Sequence, residues 1–498
     1  MLEFCRRFTE IERSEKLFRR RIGGVLHWHL IRYWFFNDLV VPRFMDFGTA
    51  HPDDLCAPAA GRSLSALIAA KLRRGCRRTL DKTLCNPSLA LKRREILFAM
   101  TPRTASFGDG SEGSVLLDFI TPRLKSTYAL FEHGRSCGYT RQPFSRKVFH
   151  LPEMRARRGR MFSEDGVFAA AAGERKEEAG RLAEIFERAY GFEFEAGRIW
   201  WMIDEVLRFR TVYFEPFKKW LERLGVRVLV TGVPEVKENA VLTEAAHAAG
   251  VPVVELQHGT IHPDHMVYRL GERESVYSPD YLLTWGDHWN EQLLNYPNGR
   301  AVSVGYPFLE HFAKKCPHRR RMAGEALRVL FISQGGVAAE LSRVAVDMAK
   351  SFPRDVCAVT YKLHPNETKT WREIYPWLIG SGVAVVDNDE KNIFECLQQA
   401  DVTVGSSSTS LVEGFVWGVR SLVLKWLPGS EVMNAFAGGG AVEFMESADE
   451  LTARVRELAA SPEKDPAIAF DPSGYWVPDA AENIASFLDS LASNGAIA

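Results

Sequence analysis

Three segments of this 498-residue chain carry residue types able to do chemistry, and each follows a short apolar run. In TYKLHPNE (360–367) the run ends at Lys362, and His364 and Pro365 come next. Proline biases the backbone before it away from helix, so the imidazole is presented from a strand end. A histidine there can donate to a phosphoryl oxygen or shuttle a proton near neutral pH. In DVTVGSSSTSLVEGF (401–415), Ser406, Ser407, Ser408 and Thr409 precede a helical pattern, and Glu413 falls in its first turns. Hydroxyls in such a place cap a helix and leave backbone N–H groups for an anion. Glu413 can accept hydrogen bonds from ribose hydroxyls. The same residues also suit an ordinary capped loop, so the segment is informative only in company.

The third segment, VPVVELQHGTIHPDHMVYRL (251–270), places Gln257, His258 and Gly259 at a strand end and His262, Asp264 and His265 just beyond. The spacing H-x3-H-x2-H is no standard zinc pattern and no cysteine is near, so a metal is not expected. A general base is the better reading, because removing a hydroxyl proton needs a histidine or carboxylate within hydrogen-bond reach. His258, nearest the strand end, is the first candidate and Asp264 the second. His262 and His265 would order the loop. Glu235, Lys237 and Asn239 in PEVKENAV (234–241) are expected to face the same cleft. Gly335 in SQGG (333–336) would let a ligand approach the backbone. The 401–424 segment holds neither GxGxxG nor GxxxxGK[ST], which removes the dinucleotide and P-loop readings. Asp387-Asn388-Asp389 comes nearest to an acidic metal motif, and neither metal nor cofactor is expected.

The elements that position these residues are legible as alternation. Apolar runs at 95–100, 114–120, 128–134, 226–232, 251–259 and 281–287 read as strands, with helical periodicity between them, as over Lys176–Leu224. A polar, basic stretch at 313–325 reads as a hinge. Runs at 327–333, 356–365, 383–389, 401–407 and 421–426 then repeat the pattern. Strands alternating with helices imply parallel sheets covered on both faces. The expected class is α/β with two doubly wound Rossmann-like lobes, which bind ligands beyond the carboxyl ends of the strands. The expected organisation is a helical N-terminal extension (1–94), a first Rossmann-like lobe (95–315) and a second Rossmann-like lobe with the nucleotide site (325–498). Ile22–Val41 reads as a helix buried against the first lobe.

Composition bounds the partners. Lys+Arg and Asp+Glu both total 63, so no global polyanion surface is indicated and no nucleic acid is expected. Eight cysteines without a CxxC pair suit reduced thiols of a cytoplasmic protein. No apolar run reaches the ~18 residues of a membrane span. Residues 71–94 hold Arg73, Arg74, Arg77, Arg78, Lys82, Lys92, Arg93 and Arg94. They suit a solvated face or a peripheral contact with the inner membrane, and Arg155, Arg157, Arg158 and Arg160 belong with them.

Taken together, the His-Gly of the first half, His364-Pro365 and the Ser/Thr loop with Glu413 resemble bacterial surface-polysaccharide glycosyltransferases of the two-lobed GT-B type. The similarity is to CDP-glycerol glycerophosphotransferases and to bacterial sialyl- and Kdo-type transferases, and it covers about residues 226–430. It implies that His364 contacts the donor phosphate, that Ser406, Ser407, Ser408 and Thr409 line the phosphate or nucleotide, and that His258 is the base. One departure is clear: the family's Trp before His-Gly is Gln257 here. The implied partners are a nucleotide-sugar donor and a glycan or glycolipid acceptor. Two other readings remain open, a nonhydrolysing nucleotide-sugar 2-epimerase and a noncatalytic scaffold of polysaccharide assembly.

Overall fold

The computed structural model describes residues 3–44, 87, 92–100, 104–106, 112–133, 148–151, 171–270, 275–293, 300–315, 321–322, 324–387, 390–460 and 472–494. Most of the basic stretch 71–94, the arginines at 155–160, and Asn388-Asp389 lie outside these residues.

Two parallel sheets form the framework. The first holds β1 (Ile96–Ala99), β2 (Tyr128–Glu132), β3 (Val148–His150), β4 (Val228–Thr231), β5 (Val253–Leu256), β6 (Tyr281–Thr284) and β7 (Arg300–Ser303), in the order β3-β2-β1-β4-β5-β6-β7. The second holds β8 (Leu327–Ile332), β9 (Cys357–Lys362), β10 (Ala384–Val386), β11 (Val402–Gly405), β12 (Arg420–Leu424) and β13 (Val442–Met445), in the order β10-β9-β8-β11-β12-β13. Every pairing in both sheets is parallel. Each sheet runs third-second-first-fourth-fifth-sixth, the doubly wound order, and the first adds β7 at its edge. The chain is α/β with two Rossmann-like lobes, and each lobe has its topological switch point between its first and fourth strands.

The strands form at short runs rich in β-branched, aromatic and leucine residues. β1, β4, β5, β6 and β11 are buried at every position, as strands covered on both faces must be. One face of the first sheet is covered by α1 (Glu3–Ser14), α2 (Trp28–Phe35), α3 (Ala172–Tyr190), α4 (Ala196–Leu224) and α5 (Lys237–Ala248) in a single core. The N-terminal helices are therefore part of that lobe's core. The other face is closed from the far end of the chain: Ile484, Leu488 and Leu491 of α11 (Ala480–Asn494) pack with Ile96, Val228 and Leu256. In the second lobe α7 (Ala338–Ser351) and α10 (Ala448–Ala460) cover one face. The lobes share a third core, in which Ile261, Trp289 and Phe308 meet Phe394, Leu411 and Phe436, with α6 (Pro307–Lys315) and α8 (Ile393–Gln399) in contact across it.

Several segments differ from expectation. The run SVLLDFI (114–120) is a turn and a short helix, Leu117–Ile120. Ser114 Oγ accepts from Leu117 N at 3.2 Å, and Asp118 accepts from Ser114 N at 2.8 Å. These two local bonds fix the turn that leads into the helix and override the apolar composition. Residues 21–26 form a tight hairpin, and only Trp28–Phe35 of Ile22–Val41 is α-helix, continued by a wide turn. The strands β3 and β13, of three and four residues, fall in none of the runs read from the sequence.

Candidate functional site

The second lobe's switch point lies between β8 and β11, and the loops leaving those strands are tied across it. Gln334, after β8, donates from Nε2 to Ser407 Oγ at 2.8 Å and accepts from Ser407 N at 3.1 Å. Ser408 is the N-cap of α9 (Thr409–Glu413), with Oγ 3.4 Å from Ser410 N. The helix is a single turn and passes straight into a 3-10 turn at Gly414–Trp417. Ser407, Ser408 and Thr409 keep partial exposure, whereas Ser406 is sealed and donates its hydroxyl to Pro428 O at 2.7 Å. Glu413 is nearly enclosed beneath the turn.

The turn after β9 is built around Glu367. Its carboxylate accepts from His364 N at 2.9 Å, Ser333 Oγ at 2.7 Å and Tyr375 OH at 3.1 Å. Those bonds hold the β8 and β9 loops in one arrangement and set His364 at the edge of the crevice. His364 Nδ1 accepts from Asn366 N at 3.3 Å. In the neutral ring this leaves the proton on Nε2, so the free edge of the imidazole is a donor. Burial lowers the His364 pKa and Lys362 acts in the same sense; Glu367 opposes them without reversing the shift. Lys362 itself is buried, with Nζ 3.3 Å from Leu363 O, and desolvation lowers its pKa. Pro365 and Gly335 are exposed at the rim.

The first lobe contributes the loop after β5. Gln257 is wholly buried and acts as its pin: Oε1 accepts from Trp285 N at 2.8 Å, and Nε2 donates to Gly259 O at 2.8 Å. The loop then reaches the other lobe. A Cβ placed on Gly259 would lie 3.9 Å from Thr409 Oγ1, and Ile261 is buried among the shared apolar residues. His258, partly exposed, therefore stands beside the Ser/Thr loop of the second lobe. Asp264, His262 and His265 lie farther along, with the two histidine rings 5.4 Å apart and His265 4.9 Å from Tyr268. Glu235 lies elsewhere, on the wall of a cavity with His29, Tyr33 and Glu255. Lys237 and Asn239 do not serve the cleft as expected. Lys237 pairs with Glu205 at 2.5 Å, and buried Asn239 donates to Val233 O at 2.8 Å.

Sequence reasoning missed Gln334 and Glu367, the two residues that hold the loops in register. Glu367 had a local signal, since it follows His-Pro by two positions. Gln334 had none, because its partner is 73 residues away.

Several histidines here stay neutral. Burial lowers His262 to about 3, with His265 adding to the shift, and lowers His265 and His288 to about 4. These values lie below the ordinary 6.5, so the unfolded chain binds more protons than the folded one. Their contribution to stability is complete above pH 6.5 and is lost as pH falls from there toward 4. Tm is expected to fall by several degrees between about pH 7 and 5. His265→Gln should flatten that slope in a pH series of thermal melts, and an unchanged slope would exclude His265 as a contributor.

No protein-family model matches the chain, and no curated protein does. Among solved structures it is similar to UDP-GlcNAc 2-epimerase from Neisseria meningitidis, at 12% identity over 79% of this chain and 99% of that one, with a TM-score of 0.49. It is also similar to the lipopolysaccharide outer core galactosyltransferase WaaB, at 11% identity over 79% and 99%, with a TM-score of 0.42. A third is MurG of Acinetobacter baumannii, at 8% identity over 80% and 99%, with a TM-score of 0.41. The strand order of the two sheets defines the class: an α/β chain with two doubly wound, Rossmann-like lobes. No helix among the described residues is long and apolar enough to cross a membrane.

Proposed function

We propose that the chain is a cytoplasmic glycosyltransferase. It would move a sugar from a nucleotide-activated donor, a CMP- or other nucleotide-sugar, to a growing surface polysaccharide such as capsule, O-antigen or lipopolysaccharide. The observation that carries this reading is the convergence on one crevice of three strand-end loops. His364 offers an Nε2 donor, Ser407, Ser408 and Thr409 offer partly exposed hydroxyls, and the His258-Gly259 turn of the other lobe stands against Thr409.

In this scheme the donor phosphate lies against His364 and the Ser/Thr loop, and Glu413 holds the ribose. His258 or Asp264 takes the acceptor hydroxyl proton as that oxygen attacks the anomeric carbon. The bond to the leaving phosphate breaks with inversion. Charge developing on the phosphate is met by preset donors, which need no reorganisation at the moment of reaction. The acceptor approaches from the side of Gln257 and Gly259. Neither metal nor cofactor enters the scheme.

A thermal-shift series with CMP, CDP, UDP and GDP tests it. A nucleotide at a hundredfold excess over its Kd stabilises the folded state by about 2.7 kcal/mol, so at least one is expected to raise Tm and to identify the donor class. No shift with any of the four would overturn the reading. Conversion of a UDP-sugar to its epimer without acceptor would replace transfer by epimerisation. Normal glycan output from a His364→Ala strain would favour the scaffold.

A further inference from the structure

Resting on that reading, we propose that Arg32, locked by Glu12, is a positioning residue of the acceptor side. It fixes the 262–270 loop, so the N-terminal helices are a working part of the site.

Arg32 lies on α2 and Glu12 on α1, and both are buried, at 3% and 1% exposure. Arg32 Nε donates to Glu12 Oε1 at 2.5 Å and one terminal nitrogen to Oε2 at 3.0 Å. Trp28 Nε1 donates to the same Oε1 at 2.8 Å. The remaining reach of the guanidinium goes to the loop: Arg32 donates to Met266 O, and to Arg269 O at 2.6 Å. These carbonyls lie more than 230 positions away in sequence. They belong to a turn closed by His265 N on His262 O and Arg269 N on His265 O. Asp264, a candidate proton acceptor, sits within that turn.

The loop is held from the sheet side as well, where Tyr268 OH donates to Glu255 of β5 at 2.7 Å. One turn earlier on α2, His29 Nδ1 lies 2.9 Å from Ser275 Oγ, and burial, with Arg32 beside it, lowers its pKa to about 3. His29, Arg32 and Tyr33 of α2 close a cavity whose far wall is Glu235 and Glu255, at the carboxyl edge of β4 and β5. Removing α2 would remove both the brace and this wall.

A buried ion pair is a poor source of stability, because desolvation offsets its Coulombic gain and apolar residues of equal volume often do as well. What apolar residues cannot do is aim a planar fork at two carbonyls of a remote loop. Lysine cannot do it either, having a single compact charge.

The test uses the full chain with two variants. Arg32→Lys keeps the charge and loses the fork. Glu12→Gln with Arg32→Met removes both charges together and retains an acceptor for Trp28, so the fold is preserved. Both are expected to speed hydrogen exchange at 264–270 about tenfold, while 402–424 exchanges as before. Nucleotide-induced thermal shifts should stay at the wild-type value. Transfer should fall in kcat and rise in acceptor KM, with donor KM unchanged. Wild-type exchange at 264–270 in either variant would overturn the proposal, and so would a loss of transfer that merely follows Tm. A wild-type protein that binds no nucleotide would remove the transferase reading, and the exchange result would still decide whether Arg32 braces the loop.

Discussion

His364→Ala is expected to lower sugar transfer by about 10²- to 10³-fold, the range found when one preset donor to a developing anion is removed. The expectation follows from the ring's setting. Asn366 N occupies Nδ1, the pKa is depressed, and the ring is therefore presented as a neutral imidazole with its proton on Nε2. Stability should change little, since the side chain is partly exposed and its recorded bond is a single long contact within its own turn. Acid should reproduce part of the defect. Protonating Nδ1 converts the acceptor for Asn366 into a donor and loosens the turn, so transfer should decline below the lowered pKa of this ring. Glu367→Gln separates the two roles, keeping the shape of the turn but weakening its hold on His364 N, Ser333 and Tyr375. Transfer measured as nucleotide released in the presence of acceptor checks both. Wild-type release from His364→Ala would place His364 outside the donor site.

Gly305→Ala is expected to cost more than about 3 kcal/mol in a urea unfolding series, because backbone strain and a steric clash coincide. Gly305 follows β7 with φ at +95°, and a Cβ there would sit 2.1 Å from Val477 O and 2.6 Å from Ala480 Cβ. The segment pressed against it is the return of the chain from the second lobe to the first. Val477 N donates to Trp285 O at 2.9 Å, and Trp289 Nε1 donates to Tyr475 O at 2.7 Å. The Glu310 carboxylate accepts from Asp479 N and Ala480 N, each at 2.9 Å, at the start of α11. Gly286 is crossed in the same way, with Gly474 O 2.6 Å from where a Cβ would be. Gly335→Ala is the control, since a Cβ there meets nothing within 4 Å. Unfolding midpoints that agree for the two variants would show that the return segment does not bear on Gly305.

The reach of the sequence follows from distance along the chain. His364, Ser407 and His258 were visible because each closes an apolar run, and a parallel sheet gathers such run ends at one edge. The separation of the two sheets was visible for the same reason, through the polar break between two series of runs. Residues that join loops were not. Gln334 meets Ser407, and Arg32 meets Met266 and Arg269, only because the strand order and the N-terminal helices bring them together. The misread run at 114–120 shows the reverse case, in which Ser114 and Asp118 decide for helix within five residues and composition misleads. Ser406 and Lys362 illustrate a third limit. Their types suit a ligand, but a neighbouring carbonyl and the protein interior claim them.

The return of α11 to the first sheet bears on how the chain is made. At about 5–20 residues per second, ribosomal synthesis delivers an N-terminal domain well before the rest. Here β1, β4, β5 and β6 are made before α11, so the face formed by Ile96, Val228, Val230 and Leu283 has Leu116, Leu117 and Ile120 of its own lobe against it but lacks Ile484, Leu488 and Leu491 until the second lobe has been made. The two helices that cover one face of the second sheet, α7 and α10, both precede α11. The nascent first lobe therefore carries part of an apolar face uncovered while the second lobe is made, and α11 sets the moment at which that face is closed.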